Sequence, residues 1–194
     1  MFKEIKEGFL FTLVTLVLFG ALYPLFVWGV AQTVFPGKAE GSFIRKAAGT
    51  DNSIRGSELV GQVFTRPEYF HGRPSAVDYN AASTGGSNYG PSNPDHLAAV
   101  RERAAAIAER EGVSLDQIPS DMVTASGGGL DPHISPAAAL LQVERVARER
   151  GVSAERIREL VEANTDAPTF GFLGKPRVHV LKLNLALDSE VPRS

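Results

Sequence analysis

The stretch "GFLFTLVTLVLFGALYPLFVWGVAQTVF", Gly8 to Phe35, runs for 28 residues without one charged side chain. About 20 apolar residues suffice to cross a hydrocarbon core, so a helix over 8–35 spans a bilayer with tilt to spare. Gly29-Val30-Ala31 could pass as a signal-peptidase site. Cleaved signal peptides, however, have apolar cores of only about 7–15 residues, and this one is much longer. Pro24 is expected to kink the span, which a membrane helix tolerates where neighbours satisfy the freed carbonyl. Trp28 falls towards its outer end, where interfacial aromatics are common. The chain reads as membrane-anchored.

Flanking charge leaves the orientation open. Lys3 and Lys6 precede the span, and Lys38, Arg45 and Lys46 follow it. A count of these cations favours a cytoplasmic C-terminal side, but long domains often translocate regardless of flanking charge. The seven-residue tail before the span is the usual form of a signal anchor. The expectation is a cytoplasmic tail over 1–7, a transmembrane helix over 8–35, a linker over 36–58 and one extracytoplasmic α/β (α+β) domain over 59–194.

The rest of the chain is long enough for one such domain. The charge of the whole chain is near balance, at −2 from 20 basic and 22 acidic residues. With no Lys/Arg run and no basic–aromatic interleave, nothing marks a nucleic-acid surface. Cysteine is absent, which excludes disulfides, thiolate metal sites and Cys nucleophiles.

Within the domain, "LVGQVFTR" offers Val60, Gly61 and Phe64 for a short strand that Pro67 stops. Residues 73–94 have almost no periodicity. Loops of that length in a compact domain are usually functional or disordered, and the hydrogen-bonding groups of Asp78, Tyr79, Asn80, Asn88, Tyr89 and Asn93 favour an ordered surface loop. Asn93-Pro94 then starts a helix, with Leu97, Val100, Ala104 and Ile107 as its apolar stripe and Gly112 as its end. Pro119 prevents a long helix in the next stretch, and 122–125 could be a short strand.

A second helix is expected from Ser135-Pro136 to Gly151. Leu140, Val143 and Ala147 face inward, Glu144 and Arg148 pair on the surface, and Gln142 shares a face with Arg145. Ser153 caps a third helix with Ile157, Leu160 and Val161 inward. "RVHVLKLNLALD", from Arg177, alternates as a strand does, with a phase slip between Val180 and Leu181 that suggests a bulge or a change of face.

The stretch "TASGGGLDPHISP", 124–136, poses the functional question. A Walker loop needs Gly-Lys-Ser/Thr, whereas Leu130 follows Gly129. A dinucleotide fingerprint needs a glycine where Pro132 stands, and Gly85-Gly86-Ser87-Asn88 is followed by Tyr89, so no esterase elbow forms. His71, His96, His133 and His179 show no metal-ligand spacing. Asp131 and His133 could approach one ion, but two ligands make a poor site, and a turn or capping role suits Asp-Pro-His better. No enzyme constellation is found.

A docking loop remains, and beside it an internal turn packed on its own domain. Three glycines allow a backbone conformation closed to other residues, with Gly128 the expected sensitive position. Asp131-Pro132 and Ser135-Pro136 stiffen the exit, and the first amides of the next helix could accept a partner's anionic group.

Three blocks, "GQVFTRPEYFHGRPSAVDYNAASTGGSNYGPSNP", "TASGGGLDPHISPAAALLQVERVARERG" and "GFLGKPRVHVLKLNLALD", resemble the signature blocks of the C subunit of the Kdp potassium-transporting ATPase. With the N-terminal span, the resemblance covers nearly the whole chain, and Thr84 and Tyr89 look like minor substitutions within it.

It implies a single-pass subunit of the bacterial inner membrane, N-terminus inside and domain in the periplasm. The partners it implies are a channel-like potassium-binding subunit, a P-type ATPase subunit, a small single-span subunit and the bilayer. The subunit would be non-catalytic and hold no cofactor. ATP with magnesium would act on the ATPase subunit, and potassium would be the transported ion. The family is described as assembling or stabilising the complex, and as a catalytic chaperone raising the ATPase subunit's affinity for ATP. Gln142, with Arg145 nearby, resembles a glutamine proposed to take part in nucleotide binding. An alternative is a module controlling ion access to the channel-like subunit. The candidate docking or nucleotide-assisting residues are Gly127, Gly128, Gly129, Asp131, His133, Ser135, Gln142, Arg145, Asn80, Asn88 and Tyr89, with no catalytic or metal residue among them.

Overall fold

The structure, a computed structural model, describes residues 1–45 and 53–191. The part of the expected linker at 46–52, with Lys46, and residues 192–194 lie outside the described residues. The chain divides into two compact units, Met1–Arg55 and Gly56–Ser194.

The first unit is dominated by one helix, Phe2–Val34, long and apolar enough to cross a membrane. It comprises α1 (Phe2–Val17), a π turn (Leu18–Leu22) and α2 (Tyr23–Val34). None of these residues is buried, so the apolar side chains are all presented outward, as a lipid-facing helix requires. Pro24 has no N–H to give the ladder. The π turn immediately before it, in which the Tyr23 N–H reaches Leu18 O, is a known way for a membrane helix to absorb that loss. The hydroxyls of Thr12 and Thr33 donate to Gly8 O and Gly29 O one turn back, at 2.9 and 2.8 Å, so the span exposes no unpaired threonine hydroxyl at either place. A short helix, α3 (Pro36–Ala39), and a strand, β1 (Phe43–Arg45), complete this unit. The next strand, β2 (Ile54–Ser57), lies at the junction of the two.

The second unit is α+β. Its helices are α4 (Pro94–Glu111), α5 (Ser120–Val123), α6 (Pro136–Leu141), α7 (Val143–Arg150), α8 (Ala154–Ala163) and α9 (Val180–Glu190). Three short strands, β3 (His133–Ile134), β4 (Thr165–Asp166) and β5 (Arg177–His179), form an antiparallel sheet in the order β3-β5-β4, with His133 opposite His179 and Thr165 opposite Val178. The core joins Ile134, Val143, Val146, Ile157, Val161, Val178, Leu183 and Leu187, with Phe70 inserted from the preceding loop. The expected helix signals hold. Asn93, Ser135 and Ser153 each accept an N-terminal amide in their side chains, and Gly112 and Gly151 end helices in the left-handed conformation at φ 69° and 67°.

Four local expectations are overturned. "RVHVLKLNLALD" is a strand only over Arg177–His179 and a helix from Val180. The phase slip at Val180–Leu181 is this boundary. Past it, the buried residues Val180, Leu181, Leu183, Asn184, Leu187 and Val191 fall at helical spacings of three, four and seven, and Leu, Lys and Ala prefer helix. The His179 ring caps it, accepting the Lys182 N–H at 3.4 Å. Second, 59–66 forms no strand beyond an isolated bridge between Ser57 and Val60, and its backbone instead bonds a loop, Gly61 N–H to Leu130 O at 2.8 Å. Third, 122–125 is not a strand, since Met122 and Val123 belong to the helical turn α5.

Fourth, the helix expected over 136–150 breaks at Gln142, where φ is −88° and ψ −7° and the N–H bonds Ala139 O rather than a full turn back. Leu140 is exposed rather than inward, and Glu144 pairs with Arg158 while Arg148 pairs with Glu149. The break turns Leu140 away from the core and Gln142 into it.

Candidate functional site

Residues 66–72, "RPEYFHG", carry Tyr69 and Phe70 into the core without belonging to any helix or strand, so their peptide groups need partners from elsewhere. Side chains of the helices supply them. Gln142, fully buried, accepts the His71 N–H at 2.8 Å on Oε1 and donates to His71 O at 3.1 Å through Nε2. The same Nε2 donates to Ala138 O at 3.1 Å, the carbonyl that Gln142's own N–H would satisfy in an unbroken helix. Asn184 on α9 treats Phe70 identically, with 2.9 Å bonds to its N–H and its carbonyl.

Arginines complete the clasp. Arg145 donates to the carbonyls of Pro67 and, at 2.9 Å, Tyr69, to Gln142 Oε1 at 2.7 Å and to the buried Glu111 carboxylate at 3.0 Å. Arg150 donates to Glu68 O at 3.1 Å, Val191 O at 2.8 Å and Asp188 at 2.8 Å. Buried charge is costly unless paired and hydrogen-bonded, and both guanidiniums are. The four polar side chains that look most like a binding site are thus consumed in holding the chain's own segment.

The glycine-rich stretch lies against the long loop. The Ser126 N–H donates to Pro74 O at 3.1 Å, the Gly85 N–H to Gly128 O at 3.2 Å, and Ser75 Oγ to Gly129 O at 2.7 Å. Gly127 and Gly128 are exposed and a Cβ on either meets open space. Gly129, at φ +70°, is the position closed to other residues: a Cβ there would stand 2.4 Å from Val77 Cγ2 and 2.9 Å from Gly85 O. The expectation placed on Gly128 moves one residue on.

Asp131 is engaged on both oxygens, by Arg73 Nη1 at 2.9 Å and the His133 N–H at 3.0 Å. Burial pushes its carboxyl up, but the His133 side chain and N–H and then Arg73 outweigh burial and hold it down at about 2. The His133 ring lies 5.1 Å from that of His179, edge to face, and burial lowers the His179 pKa. Ser135 caps α6, and its N–H and hydroxyl donate to Asp121 at 2.7 and 3.0 Å. The chain's own Asp121 carboxylate is thus held at the residue that caps this helix. Tyr79 donates to Arg73 O at 2.6 Å, its hydroxyl pushed up to about 12 by burial and then by Asp131. Asn80 and Asn88 are exposed on the loop, Asn80 closing a turn on the Ala82 N–H at 3.1 Å, and Tyr89 is exposed with its ring 6.3 Å from that of His96.

Sequence reasoning missed one surface feature. Phe170 and Phe172, 83% and 76% exposed, project with Leu173 from a tight turn closed by the Thr169–Leu173 bridge. Phe170 itself has φ +55°, followed by Gly171 at +81° and Gly174 at +90°. A bulky side chain at positive φ is unfavourable, so the turn holds an apolar knuckle out against its local preference. Two phenylalanines around a glycine, between Pro168 and Gly174, were the available signal.

One helix long and apolar enough to span a bilayer, together with a small α+β domain, is the architecture of a single-span membrane-anchored protein. The family model described as the c chain of the K+-transporting ATPase, KdpC, matches residues 5–189. Relatives named potassium-transporting ATPase KdpC subunit include those of Caldanaerobacter subterraneus subsp. tengcongensis, 48% identical with 100% of this chain and 98% of the relative covered, and Geobacter sulfurreducens, 49% identical with 98% and 100% covered. The one from Caulobacter vibrioides is 52% identical, with 91% and 88% covered. The chain belongs to the KdpC family.

Proposed function

We propose that this chain is the assembly subunit of an ATP-driven potassium importer. It joins a channel-like potassium-binding subunit to a P-type ATPase subunit, with a small single-span subunit alongside. In this reading the chain sits in the bacterial inner membrane, tail inside, and its α+β unit faces the periplasm. The observation that carries it is the knuckle: Phe170, Phe172 and Leu173 are contiguous, exposed and conformationally held, the form of a contact that a partner covers. The loop tips at Asn80, Asn88, Tyr89, Gly127 and Gly128 offer a second, polar surface that is fixed in shape by the bonds between the two loops. Direct assistance to nucleotide through Gln142 would require it to give up its bonds to His71, Ala138 and Arg145, which favours assembly.

The test is to express the transporter with and without this chain and recover it through a tag on the ATPase subunit. The channel-like subunit is expected to be lost when the chain is missing. A stable, potassium-stimulated complex formed without the chain would overturn the proposal.

A further inference from the structure

A cavity of about 270 Å³ opens between α4 and the segments 62–64 and 71–74. Its lining includes the apolar Phe64, Ile107 and Met122 and three arginines, Arg73 from the loop and Arg103 and Arg110, which share one face of α4. No carboxylate lines it among the described residues. Two carboxylates pair with this wall from outside the lining, Asp131 on Arg73 and Glu111 on Arg110, and Glu111 is shared with Arg145. Arg103 has no carboxylate partner among the described residues, and its one hydrogen bond goes to Val123 O at 3.1 Å. Arg73 Nε is buried with no acceptor among the described residues. Buried donors are ordinarily satisfied, so Arg73 keeps unused hydrogen-bonding capacity.

We propose that this cleft binds an oxyanion, a carboxylate or phosphate group on a short apolar stem, through Arg73, Arg103 and Arg110. Guanidiniums recognise such groups by charge-assisted and often bidentate hydrogen bonds, and a cavity near the lower end of ligand clefts suits a small group. The anion can be a free solute or an acidic side chain of a neighbouring subunit, and only the second source rests on the assembly reading above.

The test uses the full chain in an uncharged detergent, titrated calorimetrically with inorganic phosphate and with acetate. Saturable one-site binding of at least one anion is expected. Arg103→Gln should weaken it about tenfold, the loss of one charged hydrogen bond. Arg103→Lys, which keeps the charge and guards against misfolding, should weaken it less, and Arg101→Gln, on the exposed side of α4, should leave it unchanged. No saturable binding by the folded wild-type chain, or equal weakening by Arg101→Gln, overturns the proposal. Repeating the titration on the whole complex separates the sources. Binding retained identifies a free anion, and binding blocked identifies a partner's carboxylate already in place.

Discussion

Gln142 and Asn184, from helices on either side of one irregular segment, bind consecutive peptides in the same way: Gln142 takes the N–H and carbonyl of His71, Asn184 those of Phe70. Each carboxamide stands in for a neighbouring strand, giving one donor and one acceptor as a β-ladder does. The segment can therefore carry Phe70 into the core without leaving buried peptide groups unpaired.

Gln142→Ala and Asn184→Ala should each destabilise the domain by about 2–4 kcal/mol, because each strands a buried N–H and a buried carbonyl. Denaturant midpoints of the purified chain check this. Wild-type stability in either variant would mean that the clasp is not what holds the segment.

Acid should loosen the domain in two stages, first at His71 in this segment and then at Asp131. Burial pushes the His71 imidazole down to about 4, below its unfolded value of about 6.5. The unfolded state then binds the proton more readily, so stability is full above about pH 6.5 and falls as pH drops towards 4. Asp131, held at about 2, is the opposite case: its contribution is present above its unfolded value of about 3.9 and is lost as pH falls towards 2. Melting temperature against pH should therefore decline between pH 6.5 and 4, less steeply in His71→Gln, and again below 4, where Asp131→Asn should remove the second decline. A flat profile from pH 7 to 4 would contradict the first stage.

Gly129→Ala should cost about 1–3 kcal/mol, from a left-handed backbone and contacts with Val77 and Gly85. Gly128→Ala, facing open space, should change stability by less than about 0.5 kcal/mol. The reverse ranking in thermal melts would show that the loop adopts another shape.

The proposed periplasmic placement of the α+β unit predicts surface labelling from outside. The chain has no cysteine, so Thr84→Cys, at an exposed loop position, adds a single thiol. An impermeant maleimide should label it in intact spheroplasts. Labelling only after lysis would place the domain in the cytoplasm.

Local signals were legible where one residue type has one physical reason to be there. The caps at Asn93, Ser135 and Ser153 and the stops at Gly112 and Gly151 stand as read, and all but the last residue of the uncharged 28-residue run lies in one long helix, Phe2–Val34, which begins earlier, inside the expected tail. Alternation misled at 180–188, because leucines at every second position also include a helical face, and only Asn184 and Val191 reveal the longer period. Gln142 and Arg145 were rightly paired as neighbours. Their task was hidden, because the backbone they satisfy lies more than seventy residues away in the sequence. The choice between Gly128 and Gly129 depended on Val77 and Gly85, a loop contact that no local pattern records.

The knuckle decides whether the chain works by holding partners. Phe170→Ser with Phe172→Ser removes exposed side chains, so the variant chain alone should melt within about 0.5 kcal/mol of wild type. Subunit recovery from native membranes, through a tag on this chain, is then the direct measurement. The double variant should retain markedly less of the channel-like and ATPase subunits than wild type and lose potassium-stimulated ATP hydrolysis in proportion. Full recovery of both subunits with wild-type activity would contradict assembly through this surface.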